Sequence, residues 1–462
     1  MITEEIKEKI RKIVGAENVL DSETDRFGYS YDSSFVPLVP ANLPEIVVRP
    51  LTTAEVSAVM ALANTYEIPV TPRGVGSGRT GGSIPLAGGI SLTLDRMTKI
   101  IELDENNMMI TAEAGVRTGD IYNLCASKGL FYPPDPASYK YSTIGGNVAE
   151  NAGGLRAVKY GVTNNYVMGL EVVLADGTVL NTGGKAIKNV TGYNLTQLFT
   201  GSEGTLGIIT KVLLRLISMP KVRNTIQLMF PSLDQACATI HGTLQSGVVP
   251  AIAEVMDKTS IQAVARHRKM DIDPTTEACV VIEIDAEDEA GLARQAAQIE
   301  AVAREFGVSE VRIAKSPQES EEIWAMRRSL GPAVGAMAPD RLGEDISVPR
   351  NEFPEVVRRI RKIAEKYNLK IAVYGHAGDG NLHPSVLCDM SIPEEAERAH
   401  HAVDEIFAEA LAVGGTLSGE HGIGVTKRAY IANALGEAGV NTLKAIKTAL
   451  DPKGILNPGK IW

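Results

Sequence analysis

The sequence predicts an α+β protein in two parts, and three observations carry that prediction. Of the 462 residues, 44% are hydrophobic and 22% charged, enough apolar material for two or three buried cores. The 44 glycines concentrate in a few stretches rather than spreading evenly. Beyond residues 218–222 the pattern changes from short strands and irregular glycine-rich runs to longer strands and helices. That change places a domain boundary there, with an antiparallel sheet as the platform of the second half.

Taken in order, residues 4–19 form a short amphipathic helix with Ile6, Ile10, Ile13 and Val14 on one face. A proline-bearing link over 37–44 leads to a strand at 46–48 and a helix capped by Thr53 that runs through Met60 and Ala63. Residues 68–71 form a strand entering a glycine-rich loop. Residues 90–118 alternate between strands and turns, 118–128 form a helix, and 133–165 are expected to be irregular. Asp176-Gly177 signals a hairpin, and 206–217 is a strand-forming run closed by Pro220. In the second half, 222–229 and 278–285 form strands, while 233–245, 289–306, 352–367, 394–413 and 437–449 form helices. No repeat at a solenoid period appears. The expected division is an N-terminal helical segment over 1–40, a first domain over 41–220 and a second over 221–462.

The net charge of −10 comes without a basic stripe, which argues against nucleic acid and anionic membranes as partners. No apolar run reaches the ~18 residues of a membrane span. Residues 1–12 are charged and lack the apolar core of a signal peptide, so a cytoplasmic location is expected. Cys125, Cys237, Cys279 and Cys388 lie far apart with no C-x-x-C. The chain is therefore expected to carry no iron–sulfur cluster of its own and no disulfide framework.

Residues 72–82 read PRGVGSGRTGG and contain a literal G-x-G-x-x-G at Gly76, Gly78 and Gly81. A dinucleotide-binding βαβ unit needs a helix directly after the loop. Here the chain runs through Gly82, Pro85, Gly88 and Gly89 into a strand-like stretch. A nest of successive backbone N–H groups that binds phosphate fits better, with Ser77 and Thr80 adding hydroxyls. Further tracts lie at 133–154 and 200–209. Three such tracts in one domain suggest a single extended ligand with phosphates, larger than a mononucleotide.

The densest chemistry lies at 375–383, GHAGDGNLH, and at 418–422, SGEHG. Strands at 370–375 and 382–388 joined by a two-residue turn at Asp379-Gly380 would set His376 directly opposite His383. With Glu420 as an anionic third donor, the set suits a divalent metal: zinc, iron(II) or manganese. His241, His267, His400 and His401 sit in polar helical surroundings and are expected to be solvated.

The tracts PRGVGSGRTGG, TIGGNVAENAGG, GSEGTLGII, YGHAGDGNLHP, SGEHGIG and DPKGILNPGK together resemble the FAD-linked oxidase family. The first part is similar to a FAD-binding domain of the vanillyl-alcohol oxidase/PCMH type, and the second to the oxidase C-terminal domain. The resemblance runs to glycolate oxidase flavoprotein subunits and D-lactate dehydrogenases, with D-2-hydroxyglutarate dehydrogenases more distant. It implies that Arg73, Gly74, Val75, Gly76, Ser77, Gly78, Thr80, Gly81 and Gly82 wrap the FAD pyrophosphate. It implies that Asp135, Ser142, Thr143, Gly145, Gly146, Asn147, Asn151 and Gly153 line the rest, with Glu203, Gly207 and Ile209 on the adenine side and Asn457 near the flavin ring. The first histidine is His241, so no tether is available in the first loop and noncovalent FAD is expected.

The implied activity is oxidation of a small D-2-hydroxy acid, D-lactate or glycolate. The substrate would chelate the metal, His421 would take the hydroxyl proton, and hydride would pass to the flavin. Arg327 or Arg328 would hold the substrate carboxylate, and the family position favours Arg327. Hydroxyglutarate relatives carry a lysine in the segment matching 342–349; this chain has none there, which favours the smaller substrate. A separate acceptor protein, an iron–sulfur subunit or an electron-transferring flavoprotein, is expected. The alternatives are a D-2-hydroxyglutarate dehydrogenase, a metal-dependent hydrolase whose glycine loops are structural, and a noncatalytic FAD-binding subunit.

Overall fold

A computed structural model describes residues 2–37 and 39–462. What was expected of Met1 in the charged start and of Leu38 in the proline-bearing link lies outside the described residues. Contacts divide the chain into two units. The first gathers Met1–Gly153, Val162–Met219 and Glu420–Trp462, and the second gathers Gly154–Gly161 and Pro220–Gly419. The closing segment thus joins the first unit, where the sequence suggested one block over 221–462. Leu456 forms a parallel bridge to Val70 there.

In the first unit, a four-stranded sheet runs in the order Val19–Leu20, Ile46–Val48, Ile90–Thr93, Val70–Arg73. The helix Glu4–Val14 buries Ile6, Ile10 and Val14 into the same core as Val56, Val59, Met60 and Ala63 of the helix Thr53–Tyr66. The first helix is shorter than expected because Gly15, at φ 87°, ends it. Strands 70–73 and 90–93 are parallel, so the glycine-rich connection between them must cross from one strand end to the other's start.

A second, five-stranded antiparallel sheet runs Ile100–Asp104, Met109–Glu113, Ile208–Arg215, Val167–Val173, Val179–Gly183. Lys185, just past one edge strand, reaches Glu102 at 2.9 Å and Asp104 at 2.5 Å on the other edge strand, so the sheet curls strongly. Within the tract expected to be irregular, Ile144–Glu150 is a helix. Burial of Ile144, Gly145, Asn147 and Val148 overrides the poor helix propensity of its paired glycines.

The second unit is built on an eight-stranded antiparallel sheet. Seven strands run Glu310–Ile313, Val222–Phe230, Ala278–Ala286, Ile252–Asp257, Lys370–His376, Asn381–Cys388, Asp340–Gly343, and Ile346–Ser347 also pairs with 381–388. One face is covered by Lys258–Arg268, Pro317–Arg328 and Leu330–Gly335, whose Val264, Ile323, Trp324 and Leu330 meet Met256, Cys279 and Val281. Leu155 and Tyr160 of the excursion Gly154–Gly161 pack into that same cluster, and Tyr160 donates to Asp285 at 2.6 Å. At one end this apolar face gives way to buried polar residues, and the histidine hairpin lies there.

Candidate metal and cofactor sites

The hairpin register corrects the expected one. Tyr374 pairs with His383 and His376 with Asn381, so the turn spans 377–380 rather than 379–380. The N–H groups of Asp379 and Gly380 both donate to the His376 carbonyl. Gly380, at φ 89°, leaves no room for a side chain: a Cβ there would lie 2.1 Å from the Val348 carbonyl oxygen. The pairing differs from the expectation by two residues, which preserves every side chain's face. His376 and His383 therefore still meet, but diagonally. Their ring centroids are 5.1 Å apart and the two Nε2 atoms 3.4 Å apart.

Each ring's other nitrogen faces a buried carboxylate. His376 Nδ1 is hydrogen-bonded to Glu254 Oε1, and His383 Nδ1 lies 3.7 Å from Asp345 Oδ1. Both carboxylates are fully buried. Glu254 Oε2 takes Arg327 Nε at 2.7 Å and Nη2 at 2.6 Å. Burial pushes the Glu254 carboxyl up, but His376 and Arg327 outweigh it and leave the pKa below the ordinary value. Asp345 accepts from Asn381 Nδ2 at 2.7 Å, Ser418 Oγ at 2.7 Å and the Gly419 N–H at 2.9 Å. Glu254 belongs to no motif and stands among Ile252, Ala253, Val255 and Met256, so nothing local marks it. Asp345 likewise stands outside every motif, between the strands Asp340–Gly343 and Ile346–Ser347.

Two nitrogens on one tetrahedral ion, each ~2.05 Å from it, stand roughly 3.3 Å apart. The observed 3.4 Å fits that separation. Carboxylates behind Nδ1 are the usual partners that orient metal-bound imidazoles. The histidine pair therefore fits a divalent ion. Glu420 and His421 belong to the first unit. There a Cβ on Gly153 would lie 2.9 Å from Glu420 Oε2, and Thr80 Oγ1 donates to the His421 carbonyl at 3.4 Å. His400 and His401 are exposed on the helix Pro393–Ala412, and His241 and His267 are exposed as well. Arg327 is half-buried and paired with the buried Glu254, while Arg328 is exposed and paired with Glu321.

In the first unit, the loop after Arg73 folds over that residue's own guanidinium. A Cβ on Gly76 would lie 2.0 Å from Arg73 Nη2, and one on Gly74 would lie 2.4 Å from Thr143 Oγ1. Burial pushes the Arg73 guanidinium below its ordinary pKa despite nearby Asp32, as expected of a buried cation short of negative charge. Lys460 is buried too, donates to the Ile84 carbonyl at 2.5 Å, and is pushed down to about 8 by burial. Asn457 Nδ2 donates to the carbonyls of Gly82 at 2.9 Å and Glu203 at 2.7 Å, which ties the first and third tracts to the chain's end. Ser142 Oγ and Asn457 Oδ1 are buried without a hydrogen-bond partner among the described residues. Buried cations beside a glycine loop and orphaned polar atoms fit a phosphate-bearing ligand rich in donors and acceptors, as FAD is.

Several expected cofactor contacts have other work. The Thr80 hydroxyl donates to the His421 carbonyl at 3.4 Å. Glu203's carboxylate accepts the N–H groups of Ile423 at 2.8 Å and Gly424 at 2.7 Å. Gly207 and Ile209 are packing positions: a Cβ on Gly207 would lie 2.4 Å from Val172, and Ile209 is in the core. Asn147 donates to Thr118 at 2.6 Å, and Asn151, at φ 53°, ends the helix Ile144–Glu150. Asp135, Ser142 and Thr143 are buried, Val75 is exposed, and Ser77, Gly78, Gly145 and Gly146 lie along the first two tracts.

Residues 44–183 match the FAD binding domain family, and residues 219–461 match the C-terminal domain of FAD linked oxidases. The chain is 41% identical to the glycolate oxidase subunit GlcD of Bacillus subtilis, covering 100% of this chain and 97% of that protein. It is 34% identical to a D-lactate dehydrogenase of Anaerostipes hadrus, covering 100% and 98%. The structure of p-cresol methylhydroxylase with substrate bound superposes with a TM-score of 0.81 at 20% identity, covering 100% and 97%, a likeness of fold. Among the described residues no helix is long and apolar enough to cross a membrane.

Proposed function

The chain belongs to the FAD linked oxidases, and from that premise we propose that it oxidises a small D-2-hydroxy acid, D-lactate or glycolate, to the 2-oxo acid. The reaction uses noncovalent FAD and a divalent metal and delivers electrons to a separate acceptor protein. The observation that carries the proposal is the pair of Nε2 atoms 3.4 Å apart, each ring backed by a buried carboxylate. The names of the relatives, glycolate oxidase subunit and D-lactate dehydrogenase, support the substrate class, and the word subunit supports a partner that takes the electrons. A metal hydrolase would leave both FAD-family matches without a use.

When bound, FAD supplies a two-electron acceptor and the divalent ion a Lewis acid. His376 and His383 would hold the ion through Nε2, while Glu254 and Asp345 keep the rings oriented. Glu420 would be the third ligand; its covalent neighbour Gly419 is fixed on Asp345, the carboxylate behind His383. Arg327 engages Glu254 through Nε and Nη2, which leaves Nη1 for the substrate carboxylate. His421 takes the hydroxyl proton. Arg73 and Lys460 balance the cofactor's phosphates. The first unit serves as the FAD-binding domain and the second as the substrate domain.

The test is anaerobic addition of D-lactate, L-lactate or glycolate to the yellow protein while the flavin's visible absorbance is followed. Bleaching by a D-hydroxy acid or glycolate, abolished by a chelator and restored by zinc or manganese, is expected. A flavin that no hydroxy acid bleaches overturns the activity, and bleaching indifferent to complete metal removal overturns the metal's role.

One observation favours a second reading, a dicarboxylic 2-hydroxy acid such as hydroxyglutarate. Arg341 pairs with Leu387, which places it on the same sheet face as Ser385 and His383. It lies one residue before 342–349, the segment in which hydroxyglutarate relatives carry a lysine. Under this reading Arg341→Ala lowers kcat/KM for D-2-hydroxyglutarate at least tenfold more than for D-lactate, a differential of about 1.4 kcal/mol. Equal losses on both substrates would remove it.

A further inference from the structure

Residues 29–36 precede the FAD binding domain match, which begins at residue 44, and belong to none of the glycine-rich tracts. Within the first unit they run across the first glycine loop. The Ser33 N–H donates to the Gly78 carbonyl at 2.9 Å. Arg73 Nη1 donates to the Tyr31 carbonyl at 2.8 Å, and its guanidinium carbon stands 5.5 Å from the centre of the Tyr29 ring. The Val36 side chain lies so close to Gly81 that a Cβ there would be 2.9 Å away. Tyr31 and Phe35 are exposed, while Ser30 is buried and donates to the Phe27 carbonyl at 2.8 Å.

Asp32 sits in the middle of the strap. Its Oδ1 accepts the Ser34 N–H at 2.8 Å. Its Oδ2 is buried and, although near the Gly81 N–H, makes no hydrogen bond of normal geometry among the described residues. The Cβ direction of Gly78 points into the space this oxygen borders. A Cβ there would be 3.9 Å from Asp32 Oδ2 and 3.9 Å from Glu150 Oε1. A buried carboxylate oxygen without a donor is costly, and a ligand's donor relieves that cost. Phosphate oxygens donate nothing, but the ribose and ribityl hydroxyls of FAD do. Burial pushes the Asp32 carboxyl above its ordinary value, while Arg73 and Lys460 lie near enough to favour its charged form against that burial.

We propose that Asp32, presented by the 29–36 strap, is an FAD-binding residue that accepts a hydrogen bond from a sugar hydroxyl of the cofactor. This rests on the 73–82 loop being the FAD cradle. The test is titration of the apoprotein with FAD, followed by flavin fluorescence, alongside thermal unfolding of each apoprotein. Asp32→Ala should raise the FAD Kd roughly ten- to a hundredfold without lowering the apoprotein Tm. Asp32→Asn, which keeps a neutral acceptor, should raise it less. An Asp32→Ala Kd within about twofold of wild type overturns the proposal, since a charge-assisted hydrogen bond contributes more than that. So does a loss of apoprotein Tm in both variants, which would make Asp32 a loop anchor. Gly78→Ala separates the cradle from the residue. Position 78 is not in the left-handed region, and its Cβ meets nothing nearer than 3.9 Å. The apoprotein should therefore fold while the methyl group intrudes on the cofactor's space. Lost FAD affinity in Gly78→Ala with unchanged affinity in Asp32→Ala sinks the Asp32 proposal alone. Unchanged affinity in both sinks the cradle as well.

Discussion

Replacing Glu254 by glutamine probes the support behind His376. The change keeps the shape of the side chain and one acceptor oxygen but removes the negative charge shared by Arg327 and His376. Glu254 is fully buried, while the Arg327 side chain keeps 15% of its surface exposed. At their 2.6 Å separation and an effective dielectric near 20, the two charges attract by about 6 kcal/mol. Desolvation offsets much of that, and removing one partner of a buried pair costs about 3–5 kcal/mol. The partial exposure of Arg327 lets it recover some hydration, so the low end, about 3 kcal/mol, is expected. In a unit of about 200 residues this lowers Tm by roughly 6–12 °C.

The same substitution removes the anionic partner of a metal-bound imidazole and should weaken metal affinity about 10–100-fold. Thermal unfolding by circular dichroism in metal-free buffer and chelator competition measure the two effects. The pH dependence has a definite sign. The folded Glu254 carboxyl lies below its ordinary value of 4.5, so its contribution is complete above pH 4.5 and is lost as pH falls through the lowered folded value. Wild type should therefore lose its stability advantage over Glu254→Gln in that acid range. An unchanged Tm together with unchanged metal affinity would refute the role assigned to Glu254.

Gly375→Ala drives a Cβ to 2.2 Å from the Asn381 carbonyl oxygen across the hairpin. A loss of about 1–3 kcal/mol and a lower metal content are expected, and unfolding with metal analysis checks both; full metal stoichiometry would contradict the hairpin's role. Glu150 has its carboxyl raised well above the ordinary value, first by burial and then by Glu203 and Asp32. An acid raised in the folded state loses stability as pH climbs from 4.5 toward the raised value. Glu150→Gln should flatten that decline and stabilise the apoprotein at neutral pH; parallel Tm-versus-pH curves for the two proteins would rule it out.

Much of this organisation was legible because it is local. Helices such as Leu233–Gln245 and Glu289–Glu305 announce themselves through apolar periodicity, and Asp176-Gly177 through turn chemistry, with Gly177 at φ 89°. The histidine pair was visible because a short turn must bring its flanking strands together, and a two-residue error in register leaves the faces unchanged. The helix Ile144–Glu150 was not visible, because burial against distant strands, rather than propensity, stabilises it.

The sequence by itself determined which residues can carry the chemistry: the glycines that admit a close-lying ligand, the histidines on one hairpin, and an acidic surface without a basic stripe. Only the tertiary structure decided what stands behind them. Glu254 reaches His376 and Arg327 from 122 and 73 residues away in sequence. Asp345 collects donors from Asn381, Ser418 and Gly419, and the 29–36 strap crosses a loop that begins more than thirty positions later. Such partners leave no periodic trace, because a buried carboxylate is placed by the charges it must meet in space and not by its neighbours along the chain.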